Sequence, residues 1–174
     1  ATKQGKLPCA PDVWVSFWRL CSTAINLNTL TVPGVSAAAR DAWSQTLFGS
    51  DTTQIAASLQ LDFAALRDHL GHRYEALWSR YMQACLMNRG FPLNPYNRNL
   101  LLAFASGLLI LAAVNLFLML ACRSGHKLDD ALVARIIWTA ERRVGHSQIL
   151  YDTIARTPAL LEIDRFQRIL LTMF

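Results

Sequence analysis

Residues 100–122 read LLLAFASGLLILAAVNLFLMLAC and carry no charge. At ~1.5 Å per residue a helix of this length runs ~35 Å, enough to cross a bilayer. It is apolar on every face, so it must be enclosed all round by protein or by lipid. Ser106, Gly107 and Asn115 interrupt the apolar run, the flanking segments are amphipathic and need an apolar partner, and the chain shows no second span of the kind. These features favour a buried central helix, about residues 95–122, over a single-span membrane protein. Asn94 and Pro95 read as its N-cap and first turn, and Arg123-Ser124-Gly125 as its end.

Working towards the N-terminus, Gly90-Phe91-Pro92 closes a preceding helix whose apolar positions are Leu66, Leu70, Tyr74, Leu77, Tyr81, Ala84, Cys85 and Met87. That segment is expected from Phe63 to about Asn88, with a kink or break at Gly71. Arg73 and Arg80 fall on one face of it and read as solvated. Before it, Asp51-Thr52-Thr53 opens another short turn to Leu59. Ser36 caps another through Trp43 and Leu47 to Gly49. Pro11 and Asp12 start a first helix with a stripe of Trp14, Phe17, Trp18, Cys21, Ala24 and Ile25, and Thr31-Val32-Pro33-Gly34 makes the turn after it.

Towards the C-terminus, Asp129 and Asp130 open an amphipathic helix with Leu132, Val133, Ile136, Ile137 and Ala140 on one stripe. Gly145 bends or interrupts it, Ile149, Leu150 and Ile154 continue the apolar face, and a last helix begins near Leu160. No period-two strand pattern occurs. The expected fold is all-α: one bundle of about six or seven helices around the central one, spanning residues 11–174, with residues 1–10 as a leading linker.

The charge balance of +5 comes from 14 Arg and 3 Lys against 12 acids. Arginine suits bidentate contacts with carboxylates and phosphates. The basic residues are nevertheless dispersed, without aromatic interleaving, and this speaks against nucleic acid. Cys9, Cys21, Cys85 and Cys122 form no paired spacing, so free thiols are expected and neither a metal nor a disulfide framework. His69 and His72, with Asp68 and Glu75 nearby, make a His-x-x-His-x-x-Glu face, but no second histidine–carboxylate pair completes a metal shell. His126 reads as solvent-facing. His146, one turn beyond Arg142, has no nucleophile or second base placed to work with it and reads as structural. Glycine-rich phosphate loops and nucleophile elbows are absent from the sequence.

Several pieces do carry a likeness. Tyr74-Glu75, Tyr81-Met82, Asn88 and Phe91-Pro92 are followed by the long apolar helix. Then come Leu128-Asp129-Asp130, Val133, Ile136-Ile137, Arg142 and His146-Ser147. In order and spacing, over about residues 74–155, this resembles the C-terminal half of the flagellin lysine-N-methylase family. Arg80 stands where that family usually has Asn, and Gly145 replaces the acid before the histidine. The resemblance implies a bacterial cytoplasmic enzyme, with membrane association and oligomers, that moves a methyl group from S-adenosylmethionine to surface lysines of flagellin. It also implies an iron–sulfur cluster in an N-terminal cysteine-rich region. No such cysteine cluster occurs here. The expectation is therefore a C-terminal helical domain, inactive by itself and without a cofactor of its own, that contributes flagellin binding or self-association. Tyr81, Arg142 and His146 are its candidate site residues. The competing expectation is a free-standing helical adaptor for an acidic protein or an anionic membrane surface.

Overall fold

The computed structural model describes residues 10–27, 30–88 and 100–144, with 152 and 156 as isolated positions and backbone alone at 85–88, 100–106 and 108. Among the described residues six helices occur in order: α1 Pro11–Ala24, α2 Ala37–Leu47, α3 Thr52–Leu70, α4 Arg73–Asn88, α5 Leu100–Arg123 and α6 Asp130–Arg143. There is no strand among the described residues. The fold is an all-helical bundle built around α5.

Every residue from Leu109 to Ala121 is buried, none exposing more than 2% of its surface. α1, α2, α3 and α6 all pack against this rod. Protein therefore satisfies the demand of an all-round apolar helix, and the described side chains form no helical run long and apolar enough to cross a membrane. Beyond Arg123 the chain turns off through a Schellman closure, His126 N–H to the Ala121 carbonyl at 3.2 Å and Gly125 N–H to that of Cys122 at 3.0 Å.

The expected α1 stripe is buried in full, from Trp14 to Ile25. Its rings meet Phe63 of α3: Trp18 stacks on Phe63 with centroids 4.8 Å apart, and Trp14 meets the same ring edge-on at 6.1 Å. Such pairs add ~0.5–1.5 kcal/mol each beyond area burial. α2 begins at the predicted cap, where Ser36 Oγ accepts from the Ala39 N–H at 3.1 Å. It ends under Arg19 of α1, whose guanidinium donates to the Leu47 carbonyl at 2.8 Å and to that of Gly49 at 2.6 Å. A cation is favoured at that end by the helix dipole.

Two boundaries differ from the sequence reading. The short turn to Leu59 and the segment from Phe63 are one helix, α3, capped by Asp51 Oδ1 on the Gln54 N–H at 2.9 Å. Asp62 lies inside it and not at its start, because Arg123 of α5 meets its carboxylate at 3.1 Å. The break comes at Gly71, where φ is +55°, a conformation a side chain disfavours. Asn94 and Pro95, Gly145 and everything from Ile149 to the last helix lie outside the described residues, apart from Asp152 and Arg156.

Candidate functional site

α4 and α6 form the walls of an open cleft. On α4, Tyr74, Trp78 and Tyr81 recur at spacings of four and three and turn inward, each ring edge-on to the next with centroids 5.9 Å apart. The adjoining stripe, Arg73, Ala76, Leu77 and Arg80, looks across to Asp130, Val133 and Ile137 of α6. The cleft has a volume of ≈600 Å³. Leu77, Val133 and Ile137 supply an apolar floor. Charge sits at the rim.

Each end of the cleft is tied by a polar contact. Arg73 pairs with Asp130, so it is not simply solvated as its spacing suggests. At the other end the Tyr81 hydroxyl donates to the Glu141 carboxylate. Both N-terminal ends are thereby joined to each other, and the two helices run in the same direction. The Arg73–Asp130 pair is water-exposed, with the Asp130 side chain 95% accessible, so it orients the walls and adds little stability. Near the same end His69 Nε2 accepts from the Leu128 N–H at 3.2 Å, which fixes the approach to α6. That contact gives His69 a structural task. Among the described residues no group of three or more His, Cys, Asp or Glu is gathered to hold a metal.

Behind the cleft, the Tyr74 hydroxyl donates to Asn115 Oδ1 of α5 at 3.1 Å. Burial pushes the Tyr74 phenol above its usual value, partly offset by the Trp78 side chain and Arg67. Asn115 is the one polar residue in the buried stretch of α5, and its Nδ2 has no partner among the described residues.

Of the three candidate residues, Tyr81 lies in the cleft, and Arg142 does not. The Arg142 guanidinium sits 5.0 Å over the Trp138 ring, on another flank of α6. His146 lies outside the described residues. Tyr81 and Arg142 are therefore not brought together. Glu141 and Asp130, the acidic partners across the cleft, were not singled out from the sequence as site residues. The available signal was their position one turn on either side of the Val133–Ile137 stripe.

The described residues do not fit an iron–sulfur cluster. Burial drives the Cys21 thiol well above 9.0, the opposite of the thiolate a cluster needs. Cys122, half-buried, is raised by the same cause and by the nearby Asp62 carboxylate. Both are free thiols. The lining carboxylate of the cleft, Asp130, is engaged by Arg73. An apolar floor between polar rims can grip a segment of chain and hold it in register.

No protein-family model, curated protein or solved structure matches the chain. Assignment of a role thus rests on the cleft and on the residues that build it.

Proposed function

We propose that this chain is the helical docking domain of a flagellin lysine-N-methyltransferase, and that the α4–α6 cleft receives a segment of flagellin. One observation carries the reading. The short pieces that resemble the methylase family come from two stretches about fifty residues apart in sequence, and Tyr81, Asp130, Val133 and Ile137 from those pieces line one cleft. Pieces that share an order because they share a job are expected to meet in space.

The charge of the rim narrows the role. Arg73, Arg80 and His72 stand there, and the two carboxylates across from them, Asp130 and Glu141, are engaged by Arg73 and by the Tyr81 hydroxyl, so the cleft is not built as an acidic cage for the lysine that would be methylated. The cleft then recognises a stretch of flagellin, and the amine is presented elsewhere. Methyl transfer, with its S-adenosylmethionine and iron–sulfur cluster, belongs on this reading to other parts of the methylase.

Titration of the purified chain with monomeric flagellin, followed by calorimetry, tests the proposal. Binding in the micromolar range is expected, without methyl transfer. Leu77→Glu combined with Ile137→Glu, both half-buried cleft positions, should weaken it by at least about tenfold. A folded chain that ignores flagellin would overturn the reading, as would binding that the double variant leaves intact while its circular dichroism melt is unchanged.

A further inference from the structure

The opposite flank of α6 carries a second hollow, of ≈420 Å³, lined by Thr31, Pro33, Arg135, Trp138, Arg142 and Arg143. Trp138 exposes 60% of its surface, on a helix whose other large apolar residues pack inward. Arg135, Trp138 and Arg142 recur at spacings of three and four, so they form one row. All three arginines are exposed, and among the described residues none has a carboxylate partner. The dispersed basic residues of the sequence do gather here around an aromatic ring.

From this geometry we infer that the row Arg135–Trp138–Arg142, with Arg143, docks an acidic peptide segment of a partner protein. Stacking over Trp138 uses the face of the Arg142 guanidinium and leaves its N–H fork free in the plane for a carboxylate. Arg135 and Arg142 are two helical turns apart, ~10 Å along the axis. A ligand must therefore bring two carboxylates on one segment to engage both, and a single small anion reaches only one. The apolar ring between the two cations suits a hydrophobic residue set among acids.

The hollow also argues for a peptide over a bilayer. Its wall is the Thr31–Gly34 turn, held against α6 at Gly34, where an added Cβ would lie 3.2 Å from both Leu132 methyl carbons. A concave site with a fixed wall admits a side chain and excludes a flat membrane face. Phe48 and Leu61, the other exposed large apolar residues among those described, do not line it.

The test uses the whole chain and a fluorescein-labelled peptide of alternating Glu and Leu, followed by anisotropy. Its Gln-for-Glu analogue, a single-stranded oligonucleotide and phosphatidylserine-containing vesicles are run in parallel. The acidic peptide is expected to bind, more weakly as salt is raised, and the Gln analogue not to bind. Arg135→Glu with Arg142→Glu should weaken binding by at least about tenfold, and Trp138→Ala by several-fold. Charge reversal at the exposed Arg67 of α3 should leave it unchanged. Equal binding by the Arg135/Arg142 variant, or tighter capture of the oligonucleotide or the vesicles than of the peptide, would overturn the inference. The flagellin cleft lies on the other flank of α6, so its variants fail or succeed separately.

Discussion

Replacing Asn115 by leucine should leave the protein about as stable as before, although it puts a hydrocarbon where a buried hydrogen bond stood. The amide lies within the apolar rod, 1% exposed, with its Oδ1 taken by the Tyr74 hydroxyl and its Nδ2 without a partner among the described residues. An unpaired buried donor costs ~1–3 kcal/mol, and that cost is already present in the native chain. Leucine has the same branching and number of heavy atoms, so it removes that cost and adds apolar burial. It also removes the Oδ1 to which the Tyr74 hydroxyl donates, at up to ~1–3 kcal/mol, so the two changes nearly cancel. Tyr74→Phe alone should be the damaging change, by ~1–2 kcal/mol, because the whole amide is then left unsatisfied. The double variant removes every stranded group and should be at least as stable as the native chain. Urea unfolding of the four proteins, with slopes compared to exclude changes in the unfolded state, gives the cycle. A loss of more than about 3 kcal/mol in Asn115→Leu would refute the reasoning, since it would mean that Nδ2 is satisfied and that Asn115 anchors more than one bond.

Two further outcomes follow from single positions. Burial lifts the Asp62 carboxyl above its ordinary 3.8, and Arg123 only partly pulls it back. The folded chain thus holds that proton more tightly than the unfolded chain. Stability from this group is full below the ordinary value and is lost as pH rises through the raised folded value. Asp62→Asn should therefore gain on the native chain in urea melts between about pH 3 and pH 7, and a pH-independent difference would contradict the assignment. Gly34→Ala places a side chain at φ +73° and within 3.2 Å of Leu132, whereas Gly71→Ala, at φ +55°, meets nothing within 4 Å. Gly71 has φ +55° and ψ −138°, a region open essentially only to glycine, so Gly71→Ala should cost ~1–3 kcal/mol by strain alone. Gly34→Ala should also lower the melting temperature, and by less in a Leu132→Ala background; an equal loss in both backgrounds would show that the turn is not pressed against α6.

The parts of the fold legible in the sequence are those that periodicity decides. Thirteen consecutive buried positions leave a run with no polar face, and the α1 and α6 stripes repeat at helical spacing, so all three elements were readable. Asp62 reads in the sequence as a helix start because an aspartate among helices usually caps one, whereas its partner Arg123 lies on a helix 61 positions further on. Tyr81–Glu141 and Arg73–Asp130 were hidden for the same reason: each pairing depends on how α4 and α6 are set side by side. Trp138 does not stand out in the linear sequence, because α6 interleaves basic and aromatic residues at every third and fourth position. Composition reports such a row as dispersed charge, and only a helix turns it into a patch.

That α5 is both the centre of the bundle and late in the chain has a consequence for synthesis. α1, α2 and α3 emerge from the ribosome with their greasy stripes bare, because the surface they close upon ends at Arg123. At ordinary elongation rates the wait between the end of α3 and the end of α5 is on the order of several seconds. During that interval α1 and α3 can close only on each other, through Trp14, Trp18 and Phe63, and the faces that α5 covers stay open, which suits them to a chaperone that shields apolar helices.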